Sequence, residues 1–469
     1  MDTTPVELQS TQVPIDSTQM RRQNTFNPDL PDSNVGSSLP TVDRGKDACL
    51  FLGAAFFIDF FLWLMFDCCA TGFPFSFGIF QDYYFTHQPF EGSGKIATIG
   101  TTAMGIMYFG NPFVMALWRL FPKQCQYVPF VGVLAMCMSL AASSFSQDVT
   151  QLVISQGVVY AIGGLFCFCP CVLYVEEWFI QRRGLALGIM WAGTGVGGCA
   201  IPLLLEFLLG KYGFRTTLRV WSGLLFVAIT PLIYFVKPRV RPSRVHGRTV
   251  RRINLRFVLD GRFLLYQLPS IIQAFGFFVP AIWLPSYARN VFSASSRSAA
   301  LTIVAINMAS AFGNIAMGLM IDRLHVATCI LISSAGTVIG TFLLWGLGNN
   351  LATLYVFCII YGLFAGAYSA TWAGIMSEMA SRTISSDQTD STNHGTVFDP
   401  IMIFGVLEAG RGIGNLLSGP LSEVLIQNEP WKERAFAGYG SGYGTLIVFT
   451  GITAFVGGGS FLWRRIGWL

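Results

Sequence analysis

Ala192-Gly193-Thr194-Gly195-Val196-Gly197-Gly198, followed by Pro202, returns later as Ala409-Gly410-Arg411-Gly412-Ile413-Gly414-Asn415, followed by Pro420. The offset is 217 residues, position 410 against position 193. Two further echoes keep the same order. Phe109-Gly110-Asn111 returns as Phe312-Gly313-Asn314 at an offset of 203, while Tyr160 and Glu177 return as Tyr361 and Glu378 at an offset of 201. The offset grows where the later part carries a longer polar insert, residues 380–398. One match is within reach of chance in a chain with 50 glycines; three in one order read as an internal repeat.

The repeat sits in a membrane composition. Of 469 residues, 53% are hydrophobic and 12% charged, with a mean hydropathy of +0.55. About twelve runs reach the roughly 20 residues that cross a bilayer as a helix. They lie near 49–80, 96–117, 128–146, 151–177, 184–209, 217–236, 263–287, 298–320, 326–346, 351–378, 400–426 and 442–463. The expected fold is an all-α membrane protein with twelve transmembrane helices in two pseudo-symmetric six-helix bundles. Residues 46–236 form the first bundle and 263–469 the second, joined by a basic loop over 237–262. Residues 1–45 are rich in Ser, Thr, Pro and Asp and read as a disordered cytoplasmic tail, not a signal peptide. A membrane chain of two similar halves is the pattern of a transporter with its substrate site between them.

Basic residues orient the chain. With the N-terminus inside, the cytoplasmic loops carry Arg119 and Lys123, Arg182 and Arg183, eight Lys and Arg between Lys237 and Arg256, and finally Arg464 and Arg465. Lys95, Lys211, Arg289 and Lys432 are the thinner external set. Both termini are therefore expected in the cytoplasm. The net charge of +5 comes mostly from this bias, so the basic run faces anionic lipid rather than nucleic acid. Cys167, Cys169 and Cys171 alternate, which suits neither a zinc site nor one helix face, and read as small packing residues. With four His and no phosphate-binding glycine loop, no metal, cofactor or enzymatic chemistry is expected.

Ionisable residues in hydrocarbon are costly and mark function or pairing. Glu408 and Arg411 are spaced i, i+3 and share a helix face. Arg411 stands where the first copy of the ladder has Thr194, an unmatched charge on a repeated scaffold. It is a candidate to hold a carboxylate; the alternative is an internal Glu408–Arg411 ion pair. Asp59, Glu206 and Glu408 are candidates to carry a proton. At the cytoplasmic face, Gly318-Leu319-Met320-Ile321-Asp322-Arg323 and Glu176-Glu177-Trp178-Phe179-Ile180-Gln181-Arg182-Arg183-Gly184 offer Asp322, Arg323, Glu177 and Arg183 as gate charges or as ordinary loop charge.

The element Gly318 to Arg323 resembles the loop motif of the major facilitator superfamily. More closely, the chain resembles the fungal monocarboxylate-transporter-like branch, through Ser76-Phe77-Gly78-Ile79-Phe80-Gln81-Asp82-Tyr83-Tyr84, Glu177-Trp178-Phe179, the stretch Arg183 to Gly193, Gly213-Phe214-Arg215, and Gly410 to Asn415 running on to Gly419-Pro420. The resemblance spans about residues 46–465 and implies alternating access. In characterised animal relatives a first-helix Lys and an eighth-helix Arg handle proton and carboxylate; the aligned positions here are Phe75 and Asn314, both uncharged. That argues against proton-coupled lactate or pyruvate transport. Leu64–Thr71 reads as an insertion, so Asp67 within it is set aside. The expected function is transport of a small organic solute, foremost a monocarboxylate-like anion, by proton symport or facilitated diffusion, with Arg411, Glu408, Asn314, Phe75 and Tyr361 as candidate binding residues. A neutral or drug-like substrate is the alternative. So is a non-transporting nutrient sensor, although the short C-terminus lacks the long tail expected of one. The plasma membrane is the default location, with the vacuolar or another organelle membrane as the alternative; the lipid bilayer and a small molecule are the expected partners, and the sequence is silent on protein partners.

Overall fold

The computed structural model describes residues 41–62, 80, 83–85, 87–91, 95–239, 255–387, 398–427 and 431–469. Phe75, Asp67, the stretch Leu64–Thr71 and residues 1–40 of the expected tail lie outside the described residues. Among the described residues there is no strand. The principal helices are α1 (Lys46–Leu62), α2 (Ala97–Leu120), α3 (Val128–Ser143), α4 (Val149–Trp178), α5 (183–212) and α6 (214–233). They continue as α7 (Gly261–Phe292), α8 (Ser296–Ile321), α9 (Val326–Trp345), α10 (Leu351–Ser381), α11 (Pro400–Ile426) and α12 (Gly444–Ile466). Within the described residues the expected apolar runs overlap these helices; residues 63–79 of the first run lie outside the described residues. Among the described residues nine stretches, from α4 onward, are long and apolar enough to cross a membrane, and α3 is a shorter apolar helix of 16 residues.

The pair α5 and α6 shows why a glycine is needed between them. Helical geometry runs through Arg183–Ile233, 51 residues. Unbroken, that helix would be about 77 Å long, more than twice a bilayer's hydrocarbon core of roughly 30 Å. Gly213, at φ 71° and ψ 172°, breaks it. That backbone region is open essentially to glycine alone.

The glycine ladders are where helices touch backbone to backbone, and the contacts repeat with the sequence. On α5, a Cβ at Gly193 would strike the Phe56 carbonyl of α1, whereas one at Gly195 would lie 2.6 Å from the Asn307 carbonyl of α8. On α11, a Cβ at Gly410 would strike Gln267 of α7, and one at Gly412 would lie 2.5 Å from Tyr108 of α2. Glycine two residues apart thus serves two opposed neighbours, because alternate ladder positions point to different sides of the helix. The α5–α8 and α2–α11 seams carry this close packing along their length, with Gly188 against Asn314 on the first and Gly405 against Pro112 on the second. One apolar core runs through α1 to α6 and on to α10 and α11; a second lies among the ends of α7, α8, α9, α10 and α12.

Candidate functional site

Between α2, α5, α7, α8, α10 and α11 lies a cavity of about 150 Å³. Its wall carries eight aromatic side chains, with Arg411, Glu408, Asn314 and Asn307 among the polar residues on it. Arg411 is only 5% exposed. Its guanidinium lies 4.1 Å from the centre of the Phe277 ring, 5.6 Å from Phe278 and 5.9 Å from Trp372. A desolvated guanidinium over aromatic faces is stabilised by the ring quadrupoles. One Nη1–H donates to Gln273 Oε1 at 3.4 Å, and Tyr108 supplies a further side-chain hydrogen bond. This environment holds the cation in place while leaving much of its five-donor fork uncommitted.

Glu408 lies one turn earlier on α11 and is 3% exposed. The two residues face the same cavity, but they are not among the ion pairs formed by the described residues, and Glu408 Oε2 has no hydrogen-bond partner. Asn314 Oδ1 and Asn307 Nδ2, both from α8, are likewise buried without partners. Tyr361 reaches the cavity from α10, yet its hydroxyl donates to the Phe277 carbonyl at 2.8 Å and so braces the helix that carries the arginine's aromatic face. Asp59, 1% exposed on α1, lies outside the cavity wall and within electrostatic reach of Glu408. Glu206 is exposed and away from the cavity.

The near end of the bundle, where the α4–α5 loop sits, is bridged by ring contacts and hydrogen bonds. Trp191 of α5 stacks on Phe404 of α11 at 6.0 Å and 13°, and Trp372 of α10 meets both edge-on, closing the cavity floor. Beyond them Asp322, at the end of α8, accepts from the Gly184 N–H at 2.7 Å and the Leu185 N–H at 2.9 Å at the start of α5. Burial pushes the Asp322 carboxyl up from its ordinary value, against the pull of those two N–H groups. Arg183 pairs with Glu176 at 3.2 Å. Arg323 is exposed and belongs to no ion pair among the described residues, while Glu177 is half-buried.

Several contributors carry no signal that sequence spacing could read. Arg119, at the end of α2, meets Asp399, at the start of α11, through Nε–Oδ2 at 2.7 Å and Nη2–Oδ1 at 2.8 Å. Asp399 also caps α11 by accepting from the Ile401 N–H. Asp43 lies in what reads as tail, yet its carboxylate accepts from the N–H groups of Ile180, Gln181 and Arg182 at 3.0, 3.1 and 3.0 Å. Residues 41–45 are therefore docked against the α4–α5 loop, ahead of the boundary the composition suggests. Gln273, Phe277 and Phe278 were equally invisible; the Phe277-Phe278 pair resembles many others in a chain with 41 Phe.

The sequence model of the Major Facilitator Superfamily matches residues 92–393. The chain is 26% identical over 374 residues to an "MFS-type transporter" of Gibberella moniliformis, covering 79% of this chain and 85% of the relative. It is 24% identical over 464 residues to the "Agnestins efflux protein AgnL12" of Paecilomyces divaricatus, covering 97% and 94%. A crystal structure of the human organic anion transporter MFSD10 (TETRAN) shares the fold, with a TM-score of 0.61 at 12% identity over 88% of this chain and 100% of that one. The chain belongs to the Major Facilitator Superfamily and is a multi-pass membrane transporter, not an enzyme.

Proposed function

We propose that the protein exports a small organic acid of the secondary-metabolite type from the cell by alternating access. Two halves, 46–236 and 263–469, rock about the cavity, and the near end with the α4–α5 loop is its cytoplasmic face. The observation that carries this reading is Arg411: a buried cation on the cavity wall, held on aromatic rings, with no ion pair to the Glu408 beside it. Such a group recognises a carboxylate or an acidic phenol bidentately, and the aromatic wall takes the apolar body. Relatives named as efflux proteins for agnestins, fujikurins and aspyridones support export of metabolites of this kind over uptake of a simple monocarboxylate.

We read Asp59 and Glu408, buried on α1 and α11, as the carboxyls that exchange a proton against the outgoing anion. The test is counterflow in proteoliposomes of the purified protein, loaded with an aromatic carboxylic acid. Wild type is expected to move it, and Arg411→Ala to lower the initial rate at least tenfold with the protein still folded by thermal melt. Equal rates in Arg411→Ala, or movement only of the neutral methyl ester, would remove the anion reading in favour of a neutral substrate.

A further inference from the structure

The cavity has a second pole. Glu408 Oε2 and Asn314 Oδ1 are acceptors on its wall, on residues 3% and 4% exposed, and neither has a hydrogen-bond partner. A buried acceptor without a donor is destabilising, so a ligand that brings the donor recovers that cost. Arg411, one turn along α11, is by contrast rich in donors. Donors from Arg411 and acceptors from Glu408 and Asn314 thus converge on one small chamber whose remaining wall includes Phe277, Trp191 and Trp372.

Size and charge narrow the ligand further. A cavity of about 150 Å³ accommodates something near one benzene ring, the occupant known for an apolar cavity of that volume. A cationic donor such as an ammonium would have to enter desolvated within a turn of the arginine, which like charges in a low dielectric disfavour. A neutral hydroxyl meets the same acceptors without that cost.

Building on the organic-acid reading above, we infer that the substrate is a hydroxylated aromatic acid, or a larger metabolite that presents one as its bound end. Its acidic oxygens lie on Arg411, its ring lies among the aromatic side chains, and its hydroxyl donates to Glu408 or Asn314. The hydroxyl is then a specificity element, because an analogue lacking it leaves the acceptors buried and unpaired.

The experiment is equilibrium binding to the full-length protein in detergent, comparing benzoate, the three hydroxybenzoate isomers, methyl 4-hydroxybenzoate and phenylalanine. At least one hydroxybenzoate is expected to bind tenfold or more tightly than benzoate. Glu408→Ala or Asn314→Ala, each of which removes an acceptor, is expected to shrink that ratio to about threefold or less. Benzoate binding as tightly as every hydroxy isomer, or a ratio that survives both substitutions, overturns the second pole and leaves the anion reading intact. Phenylalanine outcompeting all the hydroxybenzoates replaces the hydroxyl with an ammonium and also overturns it. A methyl ester that binds as well as the acids overturns the anion reading itself, as does no binding by any acid. The wild-type comparison between ligands stands even if a variant fails to fold.

Discussion

Gly188 shows how little space a single residue can have at the α5–α8 seam. A Cβ there would collide with the main-chain carbonyl of Asn314, an atom that cannot rotate away as a side chain could. Gly188→Ala must therefore push the two helices apart, at an expected cost of about 1–3 kcal/mol to the packed seam. The variant is expected to melt several degrees lower and to transport slowly; an unchanged melting temperature and rate would show that the seam has slack. Arg411 was legible at this same scale, because it is the charge that interrupts an otherwise repeated ladder. Its partners were not. Gln273 and Phe277 lie more than 130 positions earlier, and nothing in their local spacing distinguishes them from other polar or aromatic residues of an apolar helix. The i, i+3 spacing gave a Glu408–Arg411 ion pair only as the alternative to carboxylate binding, and sharing a helix face is only permission to meet. The arginine lies on aromatic rings instead.

At the scale of an element, the α4–α5 loop is an unusual connector. Five N–H groups of the loop and the first turn of α5, from Ile180, Gln181, Arg182, Gly184 and Leu185, are received by two carboxylates, Asp43 from before α1 and Asp322 from the end of α8. Charge-assisted bonds of this kind are the stronger ones, and replacing carboxylate by amide leaves one oxygen acceptor and turns an NH₂ toward a donor. Asp322 holds the loop to the opposing helix, so Asp322→Asn is expected to release the near end. Asp43 holds it to the chain that leads into α1, so Asp43→Asn is expected to loosen the loop without directly separating α5 from α8. Hydrogen exchange distinguishes them: Asp322→Asn speeds exchange at 184 and 185 first, Asp43→Asn at 180 to 182 first. Simultaneous acceleration of all five sites in both variants would mean that the loop moves as one unit. The sequence announced Asp322 through its loop motif and hid Asp43, since an aspartate among Ser, Thr and Pro looks like solvated tail until the backbone it caps is folded beside it.

For the whole molecule, the repeat carried the architecture further than any one motif. Residues at one offset make matching contacts, Gly193 with α1 and Gly410 with α7, Gly195 with α8 and Gly412 with α2. What the offset could not convey is how the near end closes, because the closing groups do not repeat. The α5–α8 seam ends in a carboxylate received by backbone N–H groups, while the α2–α11 seam ends in the Arg119–Asp399 ion pair. The pair is partly exposed, so its contribution to overall stability is small. Its effect falls instead on the balance between conformations, where a modest difference shifts populations several-fold. Arg119→Asp places two carboxylates face to face and is expected to disfavour the bridged near end. Adding Asp399→Arg restores an opposite pair with the charges exchanged. Transport by Arg119→Asp should therefore fall severalfold, and the double variant should recover a large part of it. Accessibility of the cavity from the near side, read by labelling a cysteine introduced at Thr194, should rise in the single variant and fall back in the double. Recovery of neither signal would assign Asp399 its capping role at the start of α11 alone and leave closure to Asp322 and the aromatic floor.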